Sequence, residues 1–131
     1  MATGEVHILP TGNTPEFIFK HEGYIKIKGR GLFETNTEFF EQILNWFDEY
    51  LRNPAEITYV IFAFEYLNSS STIIIVSILR KLSQAIRLPK KLVIQWYYEE
   101  DDDDILERGE CISSTLDISI EFIKTNHIAE L

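Results

Sequence analysis

The residues best suited to chemistry in this chain gather in Tyr66-Leu67-Asn68-Ser69-Ser70-Ser71. They close one apolar segment, 59–65, and open another that runs to Ile86. A strand passing into a helix at this point would set the hydroxyls beside backbone N–H groups that lack intrahelical acceptors and favour an anion. Asn68 or one of the serines then serves as the helix N-cap, a role worth ~1 kcal/mol. One cap suffices, so the other hydroxyls are surplus to that need. The second chemistry open to them is phosphate acceptance, which adds about −2 charge. Residue types alone leave both readings open and do not choose among Ser69, Ser70 and Ser71.

The run Glu99-Glu100-Asp101-Asp102-Asp103-Asp104 has three readings. As the start of a helix it is a solvated, dipole-favourable end with no further role. As a docking surface it suits a basic partner. As a metal site it lacks the spaced Asp/Asn-Gly-Glu pattern of a calcium loop, and contiguous carboxylates cannot all face one ion. Ile73 is a third feature. At one hundred degrees per residue it points nearly opposite the helical stripe through Ile75, one turn from Ser69. Either the N-terminal arm covers it or it is an exposed partner contact.

The elements that must position these groups follow from hydrophobic period. Residues 1–15, with Pro10-Thr11-Gly12-Asn13-Thr14-Pro15, read as an irregular arm. Residues 16–20 and 24–28 read as a hairpin around His21-Glu22-Gly23, and Gly29-Arg30-Gly31 breaks or bends its second strand. Thr35-Asn36-Thr37-Glu38 has capping-box spacing. The following helix places Phe39, Phe40, Ile43, Leu44, Phe47, Tyr50 and Leu51 on one side. Segment 57–65 has the composition of a central strand covered on both faces. Segment 72–86 is β-like in composition, yet Ile75, Ile78, Leu79, Leu82 and Ile86 keep a helical period, and it is read as a helix. A strand at 92–98, an acidic-led helix at 101–112 and a strand at 118–123 complete the order β-β-α-β-α-β-α-β. Right-handed crossovers make this an α/β single-domain mixed sheet with helices packed on it. The strands ending at Glu65 and Tyr98 should run parallel, bringing the hydroxyl cluster and the acidic run to one sheet edge.

Composition narrows the function classes. The chain has 131 residues, 45% of them hydrophobic, enough for one real core. A net charge of −9 argues against nucleic acid or an anionic membrane as partner. Without a signal peptide or a spanning apolar run, the expectation is a soluble cytoplasmic protein with no membrane insertion. The single Cys111 precludes an internal disulfide and reads as a small packing residue. His7, His21 and His127 have no ligand spacing, so no metal or cofactor is expected. Trp96-Tyr97-Tyr98 alternates faces of a strand and reads as packing. No nucleophile–base–acid set is visible, which argues against an enzyme.

With these residues in view, the chain resembles the SiaC family of bacterial regulatory phosphoproteins over nearly its whole length. The resemblance lies in Asn13-Thr14-Pro15, the aromatic helix 39–51, Tyr66-Leu67-Asn68-Ser69-Ser70-Ser71, Trp96-Tyr97-Tyr98 with its acidic sequel, and Leu106-Glu107-Arg108-Gly109-Glu110. It implies a STAS-like fold, similar to the anti-sigma-factor antagonists, and a non-catalytic partner-switching role. In that role a cognate Ser/Thr kinase phosphorylates the protein and a PPM-type phosphatase reverses the step. The unmodified form binds and activates a diguanylate cyclase, placing it in cyclic di-GMP signalling and biofilm control. The family acceptor is a Thr directly after Asn, and here Ser69 holds that position, with Asn68, Ser70 and Ser71 supporting the loop. Tyr66, Ile73, Asp101 and Asp102 are the expected partner contacts. Two other classes stand beside this one: a STAS-type antagonist acting on an anti-sigma-type kinase, and an enzyme using the acidic edge with a divalent ion.

Overall fold

Val6–Ile8 (β1), Glu16–Lys20 (β2) and Tyr24–Gly31 (β3) form an antiparallel ribbon in a computed structural model that describes residues 4–32 and 38–131. Phe17 stands opposite Ile27 and Phe19 opposite Ile25, so period-two alternation puts the apolar set on one face. From β3 the chain crosses through Glu38–Tyr50 (α1) to Ile57–Leu67 (β4). Ser69–Ala85 (α2) leads on to Lys91–Glu99 (β5), and Asp103–Leu116 (α3) to Glu121–Thr125 (β6). A 3-10 turn, Ile128–Glu130, ends the chain. The sheet order is β1-β2-β3-β4-β5-β6, parallel from β3 onward.

That sequential order decides where the core sits. Each crossover moves one strand further in the same direction, so right-handed connections deposit all helices on one face. There Phe17, Phe19, Ile25, Ile27, Val60, Phe62, Phe64, Ile94 and Trp96 are buried against Ile43, Trp46 and Phe47 of α1 and Ile74, Ile75 and Ile78 of α2. Aromatic edges lock the seam: Phe19 meets Trp46 at 4.9 Å and Phe47 at 5.0 Å between ring centroids.

Several expectations change. Residues 6–8 of the supposed irregular arm are a strand, because Val6 pairs with Phe19 and Ile8 with Phe17 along the free edge of β2. β4 is central but not covered on both faces: Ile57 and Tyr59 are exposed on the helix-free side. The C-terminal turn crosses that side, where Lys26 Nζ donates to the Leu131 carbonyl at 2.7 Å and Lys28 Nζ to that of Ala129 at 3.1 Å. The last strand begins at Glu121 rather than 118, since α3 runs to Leu116 and Asp117 caps it in the left-handed region at φ 53°. Trp46 joins the α1 stripe, to which the periodicity had not assigned it. Cys111 is exposed on α3 rather than packed in the core, with its Sγ 4.0 Å from Thr115 Oγ1. The residues Thr35, Asn36 and Thr37 of the capping-box spacing lie outside the described residues. No helix among the described residues is long and apolar enough to cross a membrane.

Candidate functional site

The hydroxyl cluster lies at the carboxyl end of β4, at the first turn of α2. Asn68 is the N-cap: its backbone is extended and its Oδ1 accepts from the Ser71 N–H at 2.8 Å. The Asn68 N–H donates to the Gly31 carbonyl at 2.9 Å, tying the corner to the neighbouring strand. Gly31 permits that approach, since a Cβ there would come within 2.7 Å of Leu67 and 3.3 Å of Ser71. The turn therefore sorts its three serines. Ser69 is the first helical residue and exposed, Ser70 is half-buried, and Ser71 is 0% exposed. Packing therefore seals Ser71 from solvent, while Ser69 faces it.

The same face of α2 carries two further groups. Thr72 and Ile73, three and four residues after Ser69, stand on its side of the helix. Ile73 is 56% exposed, so no described part of the N-terminal arm covers it; that arm instead lies on α1, where Trp46 Nε1 donates to the Gly4 carbonyl at 2.6 Å. Tyr66, 44% exposed, is the penultimate residue of β4, and the Arg30 guanidinium lies 5.8 Å from its ring centroid. Arg30 reaches that position where the β3–β4 register shifts between Gly29 and Arg30. Gly29-Arg30-Gly31 thus does not break the strand: pairing continues across a register shift to its last residue, Gly31.

The acidic run follows β5 on the same edge, because β4 and β5 are parallel with Phe62 opposite Trp96. Asp102 caps α3, its Oδ1 accepting from the Ile105 N–H at 3.1 Å, and Asp103 and Asp104 fill the first turn. Asp101 and Asp103 are exposed and Asp102 is half-buried. Among the described residues no group of three or more His, Cys, Asp or Glu is placed to hold a metal ion.

One residue links the two corners, and local pattern did not single it out. Arg108 of α3 donates Nε to Asp104 Oδ2 at 3.2 Å, while its Nη1 lies 3.5 Å from Thr72 Oγ1 in the first turn of α2. It gets there because α3 is pressed onto Trp96. The indole Nε1 donates to the Ile105 carbonyl at 3.0 Å in the core. A Cβ on Gly109 would meet the Trp96 ring at 2.7 Å and Phe122 at 2.8 Å, so only glycine allows this seat. The signals in the sequence were the four-residue Asp104–Arg108 spacing and the glycine beside it.

Comparison with known proteins agrees with this architecture. The model of the SiaC family, regulatory phosphoproteins, matches residues 8–125. A structure of SiaC of Pseudomonas aeruginosa superposes with a TM-score of 0.78 at 24% identity, covering 95% of this chain and 99% of that one. A crystal structure of the Pseudomonas aeruginosa diguanylate cyclase SiaD in complex with its activator SiaC gives 0.80 at 21% identity, covering 92% and 99%. The apo-SiaC crystal structure from the same organism gives 0.71 at 23% identity, covering 93% and 98%. A search of curated proteins found no match.

Proposed function

The chain belongs to the SiaC family of regulatory phosphoproteins, and from that premise we propose that it is a non-catalytic switch, reversibly phosphorylated on Ser69. A cognate Ser/Thr kinase transfers the γ-phosphoryl of a nucleoside triphosphate to Ser69 Oγ, which gives up its proton, and a PPM-type phosphatase hydrolyses the ester. The unmodified protein binds an effector, a diguanylate cyclase being the class that SiaC of Pseudomonas aeruginosa activates. Cytoplasmic cyclic di-GMP signalling is the setting, and the fold is of the STAS-like kind.

One observation carries the choice of residue. Ser69 is the exposed hydroxyl directly after the N-cap, whereas Ser71 is sealed and Ser70 half-covered. Exposed Tyr66 and Ile73 flank it, and Asp101 and Asp102 stand on the adjoining loop. Together they make a partner surface whose charge changes when Ser69 is modified.

The test is phosphosite mapping of the protein from its own host, with kinase assays on Ser69→Ala. Incorporation should vanish while the fold persists; undiminished incorporation would sink the assignment. Ser69→Asp should weaken binding to the cyclase by roughly tenfold or more, within the usual range of coupling energies. Unchanged affinity would count against a charge-read switch. Capture of a sigma-factor regulator in place of a cyclase would favour the antagonist reading instead.

A further inference from the structure

We propose that Arg108 is the internal receptor for phosphate on Ser69, and that modification draws its guanidinium from Asp104 to the phosphate. This inference rests on the phosphoswitch reading and supplies the device by which the added charge is felt at the acidic rim. Arg108 comes from α3, a different element from the modified residue, and its reach is set by the Trp96–Gly109 seat. Its Nη1 already lies 3.5 Å from Thr72 Oγ1, one turn along the face that Ser69 occupies. The Thr72 hydroxyl donates to the Asn68 carbonyl at 2.8 Å and, as acceptor, gives the guanidinium only a long, neutral contact at 3.5 Å. The other partner, Asp104, is a mostly exposed carboxylate at i−4, a pairing of small worth.

A phosphate dianion outbids both. It carries about twice the charge of a carboxylate and accepts the planar guanidinium fork in bidentate fashion. Ser69 and Thr72 are three residues apart on one helix face, so a phosphate on Ser69 would stand within a turn of the guanidinium, and two of its oxygens can take two N–H donors. Asp104 then loses its cation. The first turn of α3 becomes an uncompensated acidic cluster of Asp102, Asp103 and Asp104 beside the partner-facing Asp101. A partner therefore meets two changes at once: new charge on α2 and unmasked charge on α3. Release of phosphate restores the Arg108–Asp104 pair.

The experiment installs phosphoserine at position 69 by genetic encoding, so that it does not depend on the kinase. ³¹P NMR then follows the second ionisation of the phosphate in the wild type, Arg108→Gln, Arg108→Lys and Arg30→Ala. An isolated phosphoserine titrates near pH ~6. A contacting guanidinium should hold the wild-type midpoint about one unit below that of Arg108→Gln, with Arg108→Lys between them. Arg30→Ala should match the wild type. The Arg108 Nε–Hε resonance should shift on phosphorylation, while in Asp104→Asn the unmodified protein should already have lost the ion-pair signature. Coincident midpoints for wild type and Arg108→Gln, or a displacement that follows Arg30 instead, would overturn the proposal. That result would leave Ser69 phosphorylation intact, whereas failure of kinase incorporation sinks the switch reading without touching the Arg108 measurement.

Discussion

The N-termini of α2 and α3, both on the carboxyl edge of the sheet, are built to the same plan and charged differently. In α2 the cap is the neutral Asn68, and the first turn contains Ser69, Ser70 and Ser71 with no acid. In α3 the cap is Asp102, and Asp103 and Asp104 follow it. Both caps accept from the N–H three residues on, at 2.8 Å and 3.1 Å. The backbone problem is thus solved equally, and the difference lies in electrostatics. Each helix end carries a partial positive charge of roughly half a unit. At α3 fixed carboxylates compensate it permanently. At α2 only dipolar groups do so, which leaves room for a negative charge that can be added and removed. Arg108 stands between them, one nitrogen on Asp104 and another near Thr72.

The most damaging way to break this comparison is to unseat α3. Gly109→Ala gains about 1 kcal/mol of helix propensity. Its Cβ would, however, press on the Trp96 and Phe122 rings at 2.7–2.8 Å, the first buried in the core and the second packed against it. Overpacking at such a site costs about 3 kcal/mol, so a net loss of about 2 kcal/mol is expected in urea denaturation. The same variant should separate Arg108 from Thr72. Stability equal to or above that of the wild type would mean that α3 is not held against Trp96 as closely as the geometry requires.

How much of this could be read beforehand differs between elements, for physical reasons. The α2 helix was legible despite the β-branched run Ile73-Ile74-Ile75-Val76, because the helical period through Ile75, Ile78, Leu79 and Leu82 outweighs composition; all four are buried. A cap at Asn68 or one of the serines and the shared edge of the two loops followed from turn chemistry and crossover handedness, and the structure gives the cap to Asn68. The exposed side of β4 was not legible. Its composition fits burial on both faces, and only the one-directional strand order reveals that helices cover a single side. β1 was hidden because three residues beside a Pro-Gly-rich segment leave no period to count. Arg108 was missed for a different reason. Its reach to Thr72 depends on the Trp96–Gly109 contact, a tertiary fact that the Asp104–Arg108 spacing and the neighbouring glycine do not by themselves reveal. The sorting of Ser69 from Ser71 likewise needed the third dimension: both are hydroxyls, and only the first turn of a packed helix turns one outward and the other in.

A smaller effect sharpens the comparison. Asn68→Ala removes a cap and should cost ~1 kcal/mol in the same denaturation assay. Asp102→Ala removes a cap and a favourable charge together, so its cost should exceed that of Asn68→Ala by roughly 0.5 kcal/mol at low salt. Raising the salt to about 1 M shortens the screening length to roughly 3 Å and should bring the two losses together. A gap that survives high salt would place the difference in packing rather than in charge.

The finest test exchanges the caps without deleting them. Asn68→Asp keeps an oxygen where Oδ1 accepts from the Ser71 N–H, and adds a permanent charge to the end that has none. It should stabilise the protein by about 0.5 kcal/mol at low ionic strength, with the gain fading as salt is added. Asp102→Asn keeps the corresponding bond to Ile105 and should cost less than Asn68→Asp gains, since Asp103 and Asp104 still compensate α3. This asymmetry is the decisive quantity. A carboxylate that gains nothing at position 68 would show that the end of α2 is already satisfied, and a phosphate on Ser69 would then owe its hold to Arg108 alone.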